Sequence, residues 1–253
     1  MIPKSQLPPL PFPCTVKVHA RAKRARLKVL PHQGLVVVIP AAFPLSEVPA
    51  LLLRHETWIK QAMADLERAK GTVPDVDAHV LAGGLPCEVH FPHFGERWQV
   101  TYRTQHSDRL VLQSDSAQKR LLVTGEQKVA EELLPKLLER WLTQRAELLL
   151  LPELEVLARE HHFVYGRARS KVLHAVWGSC TGSDTITLNS KLLFLPDALK
   201  KHVMLHELTH TVHKNHSGRF WQTLAGHDPL WLEHREVLRE GWVHVPAWCS
   251  NRR

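Results

Sequence analysis

HELTHTVHKNH, residues 206–216, is the stretch that governs how the rest of this chain is interpreted. On a helix, His206 and His210 lie one turn apart on one face, so both imidazoles can reach a single metal ion. Glu207 follows the first histidine, where its carboxylate can reach a metal-bound water without binding the metal. Zinc lowers the pKa of such a water toward neutrality, and a carboxylate can take its proton. The pattern predicts metal-assisted hydrolysis with Glu207 as the general base.

A catalytic zinc needs a third protein ligand, and the same stretch can supply it. His213 shares the helical face of His206, but three histidines along one straight helix span about 10 Å of rise, too far to converge on one ion. His216 becomes available if the helix ends near Asn215, a residue that tolerates left-handed backbone geometry. The spacing then matches H-E-x-x-H-x-x-G-x-x-H, with His213 in place of the glycine. We therefore predict one Zn²⁺ per chain with three ligands: His206, His210 and His216.

Four nearby residues have roles that the sequence leaves open. Glu233 and Glu236, on a following helix, are the remaining alternatives for the third ligand. Cys180 is a ligand, a thiol that occupies the open metal position, or a packing residue; packing is favoured because free cysteine is commonly buried and inert. His213 is interpreted as a residue beside the ligands or at the surface.

Outside the motif, the chain divides into parts with different sequence patterns. Residues 1–14 form a proline-rich start, residues 15–126 are rich in strands, and residues 127–253 contain the motif. Short β-type runs occur at 15–18, 35–39, 87–91, 98–102, 109–112 and 119–123. One helix interrupts them, with Ser46 as its N-cap and Gly71 as its stop after Lys70. These features predict the α+β class, with a strand-rich N-terminal part before the motif.

The second part is predicted to be helical from residue 127 until close to Gly166. Pro135 and Pro152 indicate a late start and a kink, or separate helices. A β-type segment at 167–177 and a strand at 185–189 follow. Pro196 and Asp197 then open the helix that carries the motif, because both residue types suit a first turn.

Composition excludes several classes of protein. The chain has 253 residues, 44% hydrophobic and 23% charged, which is ordinary for a globular protein. The longest apolar run is far shorter than the roughly 20 residues that span a bilayer, and the N-terminus has no signal-peptide core, so we expect no membrane association. The four cysteines form no CxxC pair, so reduced thiols and a cytoplasmic location are expected.

The motif and its flanks resemble the YgjP-like metallopeptidase family, which is related to the SprT-like zincins. The order and spacing agree over about 50 residues, and the matching positions are Trp177-Gly178-Ser179-Cys180, Asn189, Leu192, Pro196, His206-Glu207-Leu208-Thr209-His210, Asn215-His216-Ser217 and Phe220-Trp221. A weaker similarity lies in the first half, in the basic strand after Val18 and at residues 34–37 and 58–59. The resemblance implies a small zincin-like core with an HExxH metal helix beside a short sheet. The family usually has Arg where this chain has Val176, so substrate choice or rate is expected to differ here.

Three functions are compatible with these features. The favoured one is a zinc metallopeptidase, with a peptide or protein substrate paired along an edge strand at 185–189. The second is a metal-dependent hydrolase of nucleoside triphosphate phosphoanhydrides, which no Gly-rich phosphate loop supports. The third is a nucleic-acid-associated, SprT-like protease. Its support is a basic cluster, although a solvated strand face is the favoured interpretation of these residues: Lys17, Arg21, Lys23, Arg24, Arg26 and Lys28.

Overall fold

The structure, a computed structural model, describes residues 8–72, 85–107 and 109–250 of the chain. It contains two compact units, Met1–Asp75 and Val76–Arg253. The boundary between the two units therefore lies some 50 residues before residues 126 and 127, where the sequence pattern changes. The architecture is a mixture of helices and small sheets, which agrees with the predicted α+β class. None of the helices in these described ranges is both long enough and apolar enough to cross a membrane.

The first unit is a three-stranded sheet covered by two helices. Its strands are β1 (Cys14–Val18), β2 (Arg26–Leu30) and β3 (Gly34–Ile39). The central strand β3 is parallel to β1 and antiparallel to β2. The helices are α1 (Val48–Arg54) and α2 (Glu56–Thr72). Apolar side chains from β1, β3 and both helices form the core of this unit: Val16, Leu35, Val37, Ile39, Val48, Leu52 and Ile59.

The start of the helical region differs from the prediction. Ser46 lies inside a 3₁₀ turn, Leu45–Glu47, and Glu47 is the residue that precedes α1. The helix is interrupted at His55, so the structure has two helices where the sequence predicted one. Helix α2 continues through Gly71. Gly71 does not end the helix, because a glycine inside a helix lowers its stability by only about 1 kcal/mol relative to alanine.

The second unit begins with a four-stranded sheet packed on one long helix. Its strands are β4 (Glu88–Phe91), β5 (Glu96–Thr104), β6 (Val111–Asp115) and β7 (Arg120–Gly125), in the order β4-β5-β7-β6. The helix, α3, spans Gln127–Glu160. Trp141 of α3 packs on Phe91 and Trp98 of the sheet, with ring centroids 5.9 and 5.0 Å apart. Strands 88–125 therefore share the core of the second unit, which explains where the chain divides.

Helix α3 is continuous, although its two prolines predicted a late start and a kink or separate helices. Pro135 and Pro152 both lie inside it. Each internal proline costs about 3 kcal/mol. The helix also buries a row of apolar side chains, each of which contributes roughly 1.5–3 kcal/mol when it is leucine: Leu134, Leu138, Leu142, Ala146, Leu150 and Leu154. Tertiary packing thus outweighs the local preference.

The last part of the chain holds a small sheet and three helices. Strand β8 is Arg167–Lys171, β9 is Gly178–Cys180 and β10 is Thr185–Asn189. Strand β10 is central, parallel to β8 and antiparallel to β9. It therefore is not the edge strand that the sequence suggested for peptide binding. Helix α4 (Asp197–Val212) begins where predicted, followed by α5 (Gly218–His227) and α6 (Trp231–Arg239).

Candidate metal centre

Helix α4 and the turn after it bring the three predicted ligands together. His206 and His210 lie on α4, which ends at Val212, three residues earlier than predicted. His213 then adopts an extended backbone, with φ −123° and ψ 104°, and the chain turns back toward the helix. One nitrogen from each of His206, His210 and His216 lies within 4.8 Å of the others. The Nε2 atoms of His206 and His216 are 3.0 Å apart.

The residues around these histidines fix their orientation. Nδ1 of His210 lies 3.0 Å from the carbonyl oxygen of His213 and donates to it, which leaves Nε2 for a metal. The ring of His213 instead contacts the Thr223 hydroxyl at 3.1 Å and is not in the cluster. Phe220 lies under all three imidazoles, with ring centroids 4.6–4.9 Å away. His213 therefore supports a predicted ligand through its backbone.

Glu207 lies on the buried side of the same helix. Its side chain lines the cleft beside the histidines, yet the residue is only 5% exposed. Its Oε2 atom is buried without a hydrogen-bond partner in the described part of the chain. Burial raises the pKa of this carboxyl to about 8. A buried, unpaired carboxyl is costly, so its position calls for a ligand in the cleft.

The histidines are held in the state that binds metals. Burial, together with the smaller effect of the neighbouring histidines, lowers the pKa of His206 to about 3. Burial also lowers the pKa of His210. Neutral imidazoles at neutral pH offer the lone pairs that a transition metal needs.

The cleft in front of the cluster encloses about 530 Å³. Strand β9 and Val176 form one wall of the cleft, and Val176 is 48% exposed. Cys180 lines the same wall, but it lies outside the donor cluster, and burial raises the pKa of its thiol. Packing therefore describes Cys180 better than metal binding does. Glu233 and Glu236 are exposed and do not join the cluster.

Sequence analysis missed one group beside the cleft, formed by His202, Asp228 and His234. Nδ1 of His202 lies 2.6 Å from one carboxylate oxygen of Asp228, and Nδ1 of His234 lies 2.9 Å from the other. His202 precedes His206 by one helical turn, which was visible in the sequence. Its partners follow α5, and no local pattern predicted that they would approach it.

Comparison with protein families identifies the chain. The model of the YgjP-like metallopeptidase domain matches residues 23–241. The chain belongs to this family. The YgjP-like domain places the protein among metallopeptidase-type hydrolases, and membership implies a metal ion. Neither the curated proteins nor the solved structures contain a match.

Proposed function

We propose that this YgjP-like protein is a zinc-dependent metallopeptidase with a zincin-like core. The observation that carries the proposal is the convergence of three histidine nitrogens beside Glu207, whose buried Oε2 has no hydrogen-bond partner among the described residues. Three protein ligands with an adjoining cleft leave a position open, which is the arrangement of catalytic zinc sites. One Zn²⁺ per chain fits this donor set: His206, His210 and His216. The cytoplasmic location expected from the cysteine spacing is part of the same proposal.

Each residue then has a defined task. The histidines hold the zinc, which when bound supplies the Lewis acidity that activates a water and polarises a carbonyl. Glu207 takes the proton of the attacking water and passes it to the departing amine. Its buried position suits this exchange, because a raised pKa brings the carboxyl close to the working pH.

A peptide substrate fits along β9 rather than along β10. Strand β10 pairs with neighbours on both sides, whereas β9 pairs only with β10 in the described sheet. Residues 178–180 of β9 also line the cleft. An extended peptide can add to the free side of β9 through main-chain hydrogen bonds, with its carbonyl directed at the metal.

The test is a comparison of wild type with Glu207→Gln. We expect the variant to keep about one zinc per chain and to lose turnover of a quenched-fluorescence peptide library by at least about 100-fold. Gln has nearly the same size but cannot accept the proton. Wild-type turnover in the variant would refute the role of Glu207, and absence of zinc from wild type would refute the metal site.

One observation favours the second candidate function, hydrolysis of a nucleoside triphosphate. Arg235 lines the cleft and forms no ion pair with a described acidic residue; its guanidinium lies 4.9 Å from the Trp221 ring centre. Lys214 also lines the cleft, but it is paired with Asp184. A guanidinium near a metal suits a phosphate group. Release of phosphate or pyrophosphate from a nucleoside triphosphate by wild type, lost in Glu207→Gln, together with no peptide cleavage by wild type, would select this function instead.

The basic surface of the first unit supports a nucleic-acid partner. Residues 8–72 contain ten Lys and Arg against four Asp and Glu. Acidic side chains on α2 are paired within the helix, through Glu56–Lys60 and Asp65–Arg68 among others. The exposed basic residues near β2 form no ion pair with a described acidic residue: Arg21, Lys23, Arg24, Arg26 and Lys28. We infer that they contact phosphates, in which case the protease acts close to a nucleic acid.

A charge-reversal pair tests this partner. Arg24→Glu with Arg26→Glu should abolish salt-sensitive binding to a 20-base-pair DNA duplex and leave the zinc content intact. Lys60→Glu with Arg68→Glu is the matched control, because it reverses two charges of the same unit at ion-paired helix positions. Equal loss in both proteins, or no binding by wild type, would leave the basic strand as a solvated face.

A further inference from the structure

A hydrogen-bonded triad adjoins the metal cleft, and the proposed chemistry does not use it. The carboxylate of Asp228 accepts from Nδ1 of His202 at 2.6 Å and from Nδ1 of His234 at 2.9 Å. Asp228 and His202 are buried, and the side chain of His234 is 17% exposed. The triad connects α4, which carries the metal motif, with α6 and the loop before it.

The distances identify these contacts as hydrogen bonds rather than as a second metal site. Two ligands bound to a tetrahedral zinc at about 2.0–2.1 Å lie roughly 3.3 Å apart. The separation of 2.6 Å between His202 and Asp228 is clearly shorter and is a hydrogen-bond distance. Each imidazole therefore donates Nδ1–H to the carboxylate, and Nε2 is the nitrogen that remains for another partner.

The two histidines differ in what they face. His202 lies one turn before His206 on α4, with ring centroids 6.2 Å apart, and it lines the cleft. His234 does not line the cleft. The surrounding wall contains apolar groups, among them Val176 and Leu238, and a fixed polar atom beside such groups can set the orientation of a bound ligand.

We propose that His202 is a substrate-binding residue, oriented by Asp228 so that Nε2 forms a hydrogen bond with the main chain of a peptide bound beside the metal. Asp228 is the positioning residue, because it holds the ring without reaching the substrate. The inference rests on the proposed metallopeptidase function. It adds a contact that fixes the register of the peptide relative to Glu207.

The test uses two hydroxamates, which bind zinc through the same group. Acetohydroxamate reports the metal alone, whereas N-acetyl-trialanine hydroxamate adds a peptide main chain. His202→Asn retains a donor toward Asp228 and removes Nε2. We expect it to weaken the peptide hydroxamate about tenfold, as for one lost hydrogen bond, with acetohydroxamate affinity and zinc content unchanged. His234→Asn, the matched control with the same partner, should change neither affinity.

Four results would overturn the inference. The first is unchanged peptide-hydroxamate affinity in His202→Asn, and the second is an equal loss in His234→Asn, which would make the triad merely structural. The third is a second zinc per chain that disappears in Asp228→Asn. The fourth is a wild-type protein that binds no acetohydroxamate, which would remove the proposed function as well, whereas the other three leave it standing.

Discussion

Gly178 lies so close to Glu207 that no side chain fits between them. A Cβ on Gly178 would stand 2.6 Å from Oε1 of Glu207, and 2.8 and 2.9 Å from its Cγ and Cδ. Both residues line the cleft, one from β9 and the other from α4. The small sheet therefore sets the position of the buried carboxyl directly.

Replacing Gly178 by alanine should displace Glu207 and leave the three histidines in place. We expect Gly178→Ala to keep its zinc and to lose turnover by about 100-fold, because general-base catalysis contributes at least that factor. Peptide turnover and zinc content are measured on the same preparation. Gly182→Ala is the control, since a Cβ there meets nothing within 4 Å. Full turnover in Gly178→Ala would show that the contact does not position the base.

Burial of Glu207 gives the metal-free protein a specific pH dependence. The pKa of the Glu207 carboxyl is about 8 in the folded protein, against its ordinary value of 4.5 in the unfolded chain. The folded protein therefore holds the proton more tightly. The contribution of this tighter proton binding to the free energy of unfolding is fully present below pH 4.5 and is lost as the pH rises through 8. Between pH 5 and pH 8, the free energy of unfolding should fall by about 3–4 kcal/mol more in wild type than in Glu207→Gln.

Urea unfolding of chelator-treated protein at both pH values measures this difference. Using Glu207→Gln as the reference cancels the contributions of the other titrating groups, including His206 and His210. Parallel pH dependence in the two proteins would mean that Glu207 is solvated in the folded state.

Asn189 is expected to stabilise the segment that leads into β9. The residue is fully buried, and its amide nitrogen donates to the carbonyls of Leu173 and Val176 at 3.0 and 2.8 Å. Asn189→Asp would put an acceptor against both carbonyls, so unfolding should become easier by about 3 kcal/mol. The same change at exposed Asn215 should alter the free energy of unfolding by less than about 0.5 kcal/mol. Urea unfolding of both variants measures this difference, and we expect the lower midpoint in Asn189→Asp. Equal midpoints would contradict the role given to Asn189.

The helical spacing of the motif was predictable, because it depends only on local geometry. The approach of His216 was also expected, although the helix ends at Val212 rather than at Asn215. A turn anywhere after His210 lets the chain fold back toward the helix. The predicted position of His216 therefore did not depend on the exact residue at which the helix ends. The convergence of the three histidines is thus encoded over a short stretch of sequence.

Features that depend on tertiary packing were not predictable. Pro135 and Pro152 indicated a broken helix, but the apolar face buried by α3 keeps it whole. Strand β10 was expected at the edge of its sheet, and its central place depends on pairing with β9, a strand of three residues. The partner of His202, Asp228, lies 26 residues away, beyond the reach of any periodicity.

The most direct test of the metal centre is the zinc content of His216→Ala beside that of His213→Ala, measured by mass spectrometry after dialysis. The two histidines are three residues apart, yet only His216 offers a ring nitrogen to the cluster. His213 contributes its backbone carbonyl, which alanine retains. We predict about one zinc per chain in wild type and in His213→Ala, and little in His216→Ala. Full zinc in His216→Ala, with loss in His213→Ala, would contradict the proposed centre.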